Sequence, residues 1–245
     1  MRLIRVFVES ALAPAARIEA GGTAATHMAR VLRLAAGDPV TLFNGDGHDY
    51  PARVVAVRSP CVEIEVLQCR PARPESPLAL TLVQGIARAE RMDLIVQKAT
   101  ELGVAAIQPV VTARSVVKLD AKTTERKLAH WRGIVTAACE QCGRARLPQV
   151  AAPLPLPEWL ARPALDGVQR LQLAVDAQES LGYAAADARA IELLIGPEGG
   201  LEEDERKSAA SAGYRDCSIG PRVLRTETAA ITALAVLQAT AGDLG

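Results

Sequence analysis

Between Ile191 and Ala230 the chain twice runs a short apolar strand into a glycine turn and then into a helix, and this repetition constrains the fold more than any other feature. The first copy reads IELLIGPEGGLEEDE. Ile191 to Ile195 has the character of a buried strand, Gly196-Pro197 breaks it, and Glu202, Glu203, Asp204 and Glu205 fall where carboxylates favour the first turn of a helix. In the second copy Cys217 to Ile219 is a short strand, Gly220-Pro221 ends it, and Thr226, Glu227 and Thr228 open an Ala-rich helix to about Ala239. Such turns expose main-chain N–H and C=O groups that can hydrogen-bond a nucleotide-like ligand, although two ordinary strand-to-helix turns have the same composition. A P-loop does not fit. Four carboxylates beside GPEGG repel a triphosphate, and the Lys-Ser/Thr ending is missing.

Upstream, strands and helices alternate from Leu78: LALTLVQG, a helix from about Ala89 to Leu102, VAAIQPVVT, a helix from about Thr123 to Cys142, then QRLQLAVD. This order predicts an α/β domain with a mostly parallel sheet, helices on both faces, and ligands at the carboxyl ends of the strands. Residues 1–70 read differently. Leu3 to Val8, Pro39 to Phe43, Arg53 to Val57 and Cys61 to Leu67 are short strand-like runs, Asn44-Gly45-Asp46-Gly47 is a turn, and Gly22 to Leu34 has helical spacing with Thr23 or Thr26 as N-cap. Strands this short close naturally into a small barrel. Pro71, Pro74 and Pro77 mark a linker, giving domains 1–70 and 78–245 joined by 71–77, and PLPLP at Pro153 to Pro157 reads as a surface loop.

The composition sets limits on partners. No apolar run approaches the roughly twenty residues of a membrane span, and MRLIRVFVES is no signal peptide, so a soluble cytoplasmic protein is expected. The five cysteines lack framework spacing, and the Cys139/Cys142 pair falls near a helix end, where the dipole raises a thiol pKa. No metal-ligand spacing is present. Net charge is zero, yet Lys plus Arg outnumber Asp plus Glu by 11 to 6 over residues 76–146. A polyanion can meet a local positive face there, as can plain solvent.

GPEGG with its acidic helix, followed by GPRVLRTETA, closely resembles the C-terminal signature of the RsmE family, 16S ribosomal RNA uracil-N3 methyltransferases of the SPOUT superfamily. HxxxVLR followed by GD (His27, Val31, Leu32, Arg33, Gly37, Asp38), KATELGV (Lys98 to Val104) and EQCGR (Glu140 to Arg144) extend the resemblance over almost the full length. It implies a C-terminal SPOUT α/β domain with a trefoil knot, a preceding PUA-like β-barrel domain that holds RNA, S-adenosylmethionine as cofactor, and a homodimer; the Ala-rich faces of the Ala229 to Leu237 helix suit close approach at the dimer interface, or burial in the chain's own core. Its partner is 16S ribosomal RNA or the small ribosomal subunit, with no metal and no membrane.

The cofactor residues implied are Ile195, Gly196, Pro197, Glu198, Gly199, Gly200, Ile219, Gly220, Val223, Leu224 and Thr228. Arg5, His27, Arg30, Arg33, Arg114 and Arg144 are the candidates for RNA, since guanidinium groups grip phosphate bidentately. Methylating N3 requires the base to lose its N3 proton. Arg225 or Arg144 can steady the resulting charge, and Glu227 or Glu140 can take the proton, each also suiting a cap or an ion pair. A SPOUT enzyme acting on another nucleotide, or a catalytically silent RNA-binding module, shares these features.

Overall fold

The computed structural model describes residues 4–115 and 120–245; Leu3, where the first strand is expected to begin, lies outside them. The chain forms two compact units, one of residues 1–75 with 136–147, the other of residues 76–135 with 148–245.

In the first unit the described residues form a six-stranded sheet from β1 (Arg5–Phe7), β2 (Arg17–Ala20), β3 (Pro39–Phe43), β4 (His48–Arg58), β5 (Cys61–Val66) and β6 (Arg70–Pro71). The order is β1-β3-β4-β5-β2, with β6 on β4. The Asn44 to Gly47 turn joins β3 to β4, its two glycines at positive φ. Val6 and Ala20 come from opposite ends of the sheet yet share one core with Leu42, Val54 and Ile64, so the sheet wraps around its own apolar face. β2 was not expected from RIEA, whose charged residues face solvent as an edge strand allows. The prolines after residue 70 begin as a strand: Arg70 and Pro71 pair with Asp49 and His48.

The helix expected over Gly22 to Leu34 is shorter. α1 (Gly22–Thr26) passes into a π-helical turn over His27–Val31, and the chain leaves through Arg33 at φ +54°. Neither threonine caps it. The N-cap position falls to Gly21, because Thr23 and Thr26 already lie inside the helix, where the Thr26 hydroxyl donates back to Gly22 O.

The second unit holds an all-parallel sheet. Its elements are β7 (Ala79–Gly85), α2 (Ala89–Glu101), β8 (Ala106–Val111), α3 (Ala121–Cys142, counted here as far as Val135), β9 (Gln149–Val150), β10 (Leu154–Pro155), α4 (Leu156–Leu160), β11 (Val168–Leu173), α5 (Leu181–Ala184), β12 (Ala190–Ile195), α6 (Glu203–Ser211), β13 (Arg215–Cys217) and α7 (Thr226–Ala241). The strand order is β10-β8-β7-β12-β11-β13, with β9 also on β8. Val83, Val110 and Leu194 pack with Leu156, Trp159 and Ala209, so α4 and α6 cover one face. Strand alternation turns Leu82 and Leu193, both fully buried, to the other face, and α7 packs against β12 and α2.

Two local expectations change and one holds. PLPLP is not a loop: Leu154–Pro155 is a strand, and Pro157 sits in the first turn of α4, where its missing N–H costs nothing. The strand before Gly220 is Arg215–Cys217, and Ser218 bridges Ser180 instead of extending it. α6 starts as its carboxylates suggest, with Glu202 and Glu205 in a reciprocal capping box. No helix of the described residues is long and apolar enough to cross a membrane.

Candidate functional site

β7 and β12 end side by side, Gln84 in register with Ile195, so Gly85 and Gly196 leave the sheet together. The approach is too close for a side chain: a Cβ on Gly85 would lie 2.5 Å from Pro197 Cδ, and one on Gly196 would lie 2.9 Å from Gly200 C. Gln84 is fully buried and fastens the seam. Its Nε2 donates to Gly85 O at 2.9 Å, to Gly196 O at 3.3 Å and to Thr226 Oγ1 at 3.1 Å, while Thr226 Oγ1 donates to Gly196 O at 2.8 Å. One amide thus joins the first glycine turn to the first residue of α7.

Beyond this seam, at the carboxyl ends of β11, β12 and β13, lies a cleft of about 360 Å³. Its walls are the two glycine turns. Ile195, Gly196, Pro197, Glu198, Gly199 and Gly200 line one side, and Ile219, Gly220, Val223 and Leu224 the other. Gly200 and Gly220 stand at φ +70° and +119°, conformations open to glycine. Thr228 does not join them. It is exposed on α7, whereas Thr226 and Ala229, one helical turn apart, face the cleft.

Arg114 also belongs here. Its Nη1 donates to Gly199 O at 2.7 Å and its Nε lies 3.7 Å from Glu202, so the arginine considered for RNA braces the GPEGG turn. Behind that turn, Glu198 Oε1 accepts the Arg88 N–H at 2.9 Å and lies 3.2 Å from Arg91 Nη1. Burial pushes the Glu198 carboxyl up, but the Arg88 N–H and the charges of Arg91 and Arg88 outweigh it and hold the group below the ordinary carboxylate range. Glu227 does not line the cleft. Its Oε1 lies 3.9 Å from Arg91 Nε, and its Oε2 is buried with no hydrogen-bond partner among the described residues. Arg225, the exposed N-cap of α7, makes no side-chain hydrogen bond or ion pair among them.

The remaining candidates lie in the first unit, where 136–147 docks. Arg5 is 7% exposed: it is paired with Asp49, donates to Arg144 O at 3.0 Å and stacks over Phe43, so it is a core brace and not a free phosphate ligand. Glu140 Oε1 accepts the Phe7 N–H at 3.0 Å, with His27 Nε2 4.0 Å from its other oxygen, and Arg144 pairs with Glu75 at 2.6 Å. Arg30 and Arg33 are exposed, Arg30 beside a groove of about 650 Å³ along α1. Cys139 is buried, which pushes its thiol up to about 12, a poor setting for redox chemistry. No cluster of His, Cys, Asp or Glu among the described residues is arranged to hold a metal.

Gln84, Thr226 and Arg91 were not foreseen. The one signal for Gln84 is a polar residue closing an otherwise apolar strand, LTLVQG.

Residues 74–238 match the model of the RNA methyltransferase domain, and residues 21–65 that of the RNA methyltransferase PUA domain. Ribosomal RNA small subunit methyltransferase E of Bacillus subtilis is 30% identical over 86% of this chain and 85% of its own. That of Mycobacterium tuberculosis is 35% identical over 85% and 80%. Among solved structures, a putative methyltransferase from Legionella pneumophila, in complex with S-adenosylmethionine, superposes with TM-score 0.95 at 37% identity over the whole of both chains. The Neisseria gonorrhoeae ribosomal RNA small subunit methyltransferase E, also bound to S-adenosylmethionine, gives 0.92 at 34%, again over both whole chains.

Proposed function

Since the chain belongs to the RNA methyltransferase family, we propose that it methylates N3 of one uridine of 16S ribosomal RNA, uridine 1498 by the resemblance, using S-adenosylmethionine. It is an S-adenosylmethionine-dependent ribosomal RNA methyltransferase. The observation that carries the reading is the cleft between two glycine turns, locked together by Gln84 and Thr226. The residues fit the cofactor. A cavity of this size with apolar walls at Ile195, Ile219 and Leu224 suits an adenosyl group, and glycines at the two turns let the main chain come close to its polar edge. When bound, S-adenosylmethionine supplies an electrophilic methyl group.

The chain's own part is to hold the base and steady its charge. Arg225 stands at the start of α7, between cleft-lining Leu224 and Thr226, with its guanidinium free to bond a uracil oxygen as N3 loses its proton. Alignment supplies much of the remainder. Of the two carboxylates considered as base, Glu140 holds the Phe7 N–H within the first unit and Glu227 is turned toward α2, so the chain's part is assigned to Arg225 and positioning while the N3 proton leaves to solvent water.

The domains proposed are an RNA-holding PUA-like domain over 1–70, a linker over 71–77 and a SPOUT domain with a C-terminal trefoil knot over 78–245. Arg30 and Arg33, exposed in the first unit, are the proposed phosphate contacts, and the enzyme is proposed to work in the cytoplasm as a homodimer through α7. Base-resolved mapping of 16S ribosomal RNA from cells lacking the gene, with and without the protein restored, tests the reaction. The mark at N3 of that uridine should vanish and return; a mark that persists, or one lost elsewhere, overturns the assignment.

A further inference from the structure

Arg91 belongs to neither glycine turn, yet its guanidinium meets one carboxylate of the first turn and one at the start of α7, the helix that follows the second. It stands in the first turn of α2, three residues after the N-cap Arg88. Nη1 lies 3.2 Å from Glu198, the central residue of GPEGG, and Nε lies 3.9 Å from Glu227, in the first turn of the helix into which GPRVLRTETA runs.

Two further observations make this more than a surface ion pair. The Glu198 carboxylate also accepts the Arg88 N–H, so it occupies the positive end of α2 and fixes where the guanidinium must reach. Glu227 has one oxygen buried and without a hydrogen-bond donor among the described residues, so the pairing of its other oxygen with Arg91, together with the positive end of α7, offsets its desolvation. Glu227 therefore faces the cation and not the cleft.

We infer that Arg91 is a positioning residue that couples the first turn to the start of α7, holding Glu198 and Glu227 at one separation so that the cleft is preformed before its ligand arrives. The inference rests on the reading of that cleft as an S-adenosylmethionine site. Preorganisation of this kind acts on affinity, because a ligand that must order two loops gives up binding free energy to do so. It also makes Glu227 a partner of Arg91 in place of a proton acceptor.

The experiment compares Arg91→Gln, Arg91→Lys, Glu227→Gln and the double variant Arg91→Gln/Glu227→Gln with the unaltered protein. Arg91→Gln should raise the S-adenosylmethionine Kd and KM about tenfold, with kcat changed far less, and Arg91→Lys should recover only part of this because one ammonium does not span both carboxylates. Glu227→Gln should behave as a milder Arg91→Gln, and the double variant should be no worse than Arg91→Gln alone. Hydrogen exchange without cofactor supplies a readout independent of the proposed ligand: residues 196–201 and the start of α7, residues 229–231, should both exchange faster in Arg91→Gln. Additive losses, or loosening of one segment only, overturn the coupling. A drop in kcat of a hundredfold or more in Glu227→Gln with KM unchanged overturns it in favour of Glu227 as base. If the two segments loosen together but the unaltered protein does not bind S-adenosylmethionine, the coupling stands and the reading of the cleft fails.

Discussion

The turn at Gly196 to Gly200 is held from three directions: the Gln84 and Thr226 side chains on the Gly196 carbonyl, the Arg114 guanidinium on the Gly199 carbonyl, and the Arg88 backbone N–H with the Arg91 guanidinium on Glu198. Across the cleft, residues 219–224 make no hydrogen bond among the described residues, and Val223 is 83% exposed. One wall is thus fixed along its length, and the other only at its α7 end, where Glu227 meets Arg91. The division suits a site with two ligands. A small molecule needs a rigid surface to recognise it, while a bulky nucleic acid needs a side that yields.

The sharpest way to break this contrast is to put a β-branched residue into each turn. In Gly196→Val the new Cβ meets backbone at 2.9 Å, and calorimetry should show S-adenosylmethionine affinity reduced more than about a hundredfold. Gly220→Val meets open space but must adopt φ +119°, a strain of about 1–3 kcal/mol, so a loss nearer tenfold is expected. Equal losses would remove the distinction between the walls.

Arg225 sharpens it from the open side. Arg225→Ala should slow single-turnover methyl transfer about a hundredfold, the scale of removing one charge-stabilising donor, while RNA and cofactor affinities stay within about threefold. A variant that binds poorly but turns over normally would move Arg225 out of the chemistry. Thr226→Val keeps the shape of the seam but removes the hydroxyl that links Gln84 to Gly196 O. A loss of about 1–3 kcal/mol in urea denaturation is expected, and none at all would mean that Gln84 holds the turn alone.

The smallest effect expected is in acid. Because the Glu198 carboxyl is depressed in the folded protein, its contribution to stability is present above the ordinary carboxylate pKa and is lost as pH falls through the folded value. Hydrogen exchange, corrected for its intrinsic pH dependence, should therefore loosen residues 196–200 before the start of α7, residues 229–231, as pH drops below about 4.5. Simultaneous loosening would show that Glu198 is not what distinguishes the first wall.

Much of this site is written locally. Gly-Pro after an apolar run marks a strand end, and carboxylates at Glu202 and Glu205 mark a helix start, because both effects act within a few residues. What binds the site together is not local. Gln84 reaches residues more than a hundred positions away, and nothing around LTLVQG distinguishes a seam-forming amide from one at a solvated strand end. The same holds for Arg5. As a sequence it is a cation in a strand; only the fold shows Asp49 and Phe43 around it. Thr226 and Thr228 both flank Glu227 in sequence, and only the angular phase of α7 shows that it is Thr226 that faces the cleft.

The first unit borrows a piece of later chain: Glu140 receives the Phe7 N–H, the Arg144 carbonyl receives Arg5, and its guanidinium pairs with Glu75. During synthesis, therefore, the N-terminal sheet emerges from the ribosome with Arg5, Phe7 and Glu75 still short of their partners, and it stays incomplete until residue 147 has followed. An N-terminal fragment ending at Glu75 would inherit the same deficit permanently, with a buried arginine and an unmet backbone N–H at its edge.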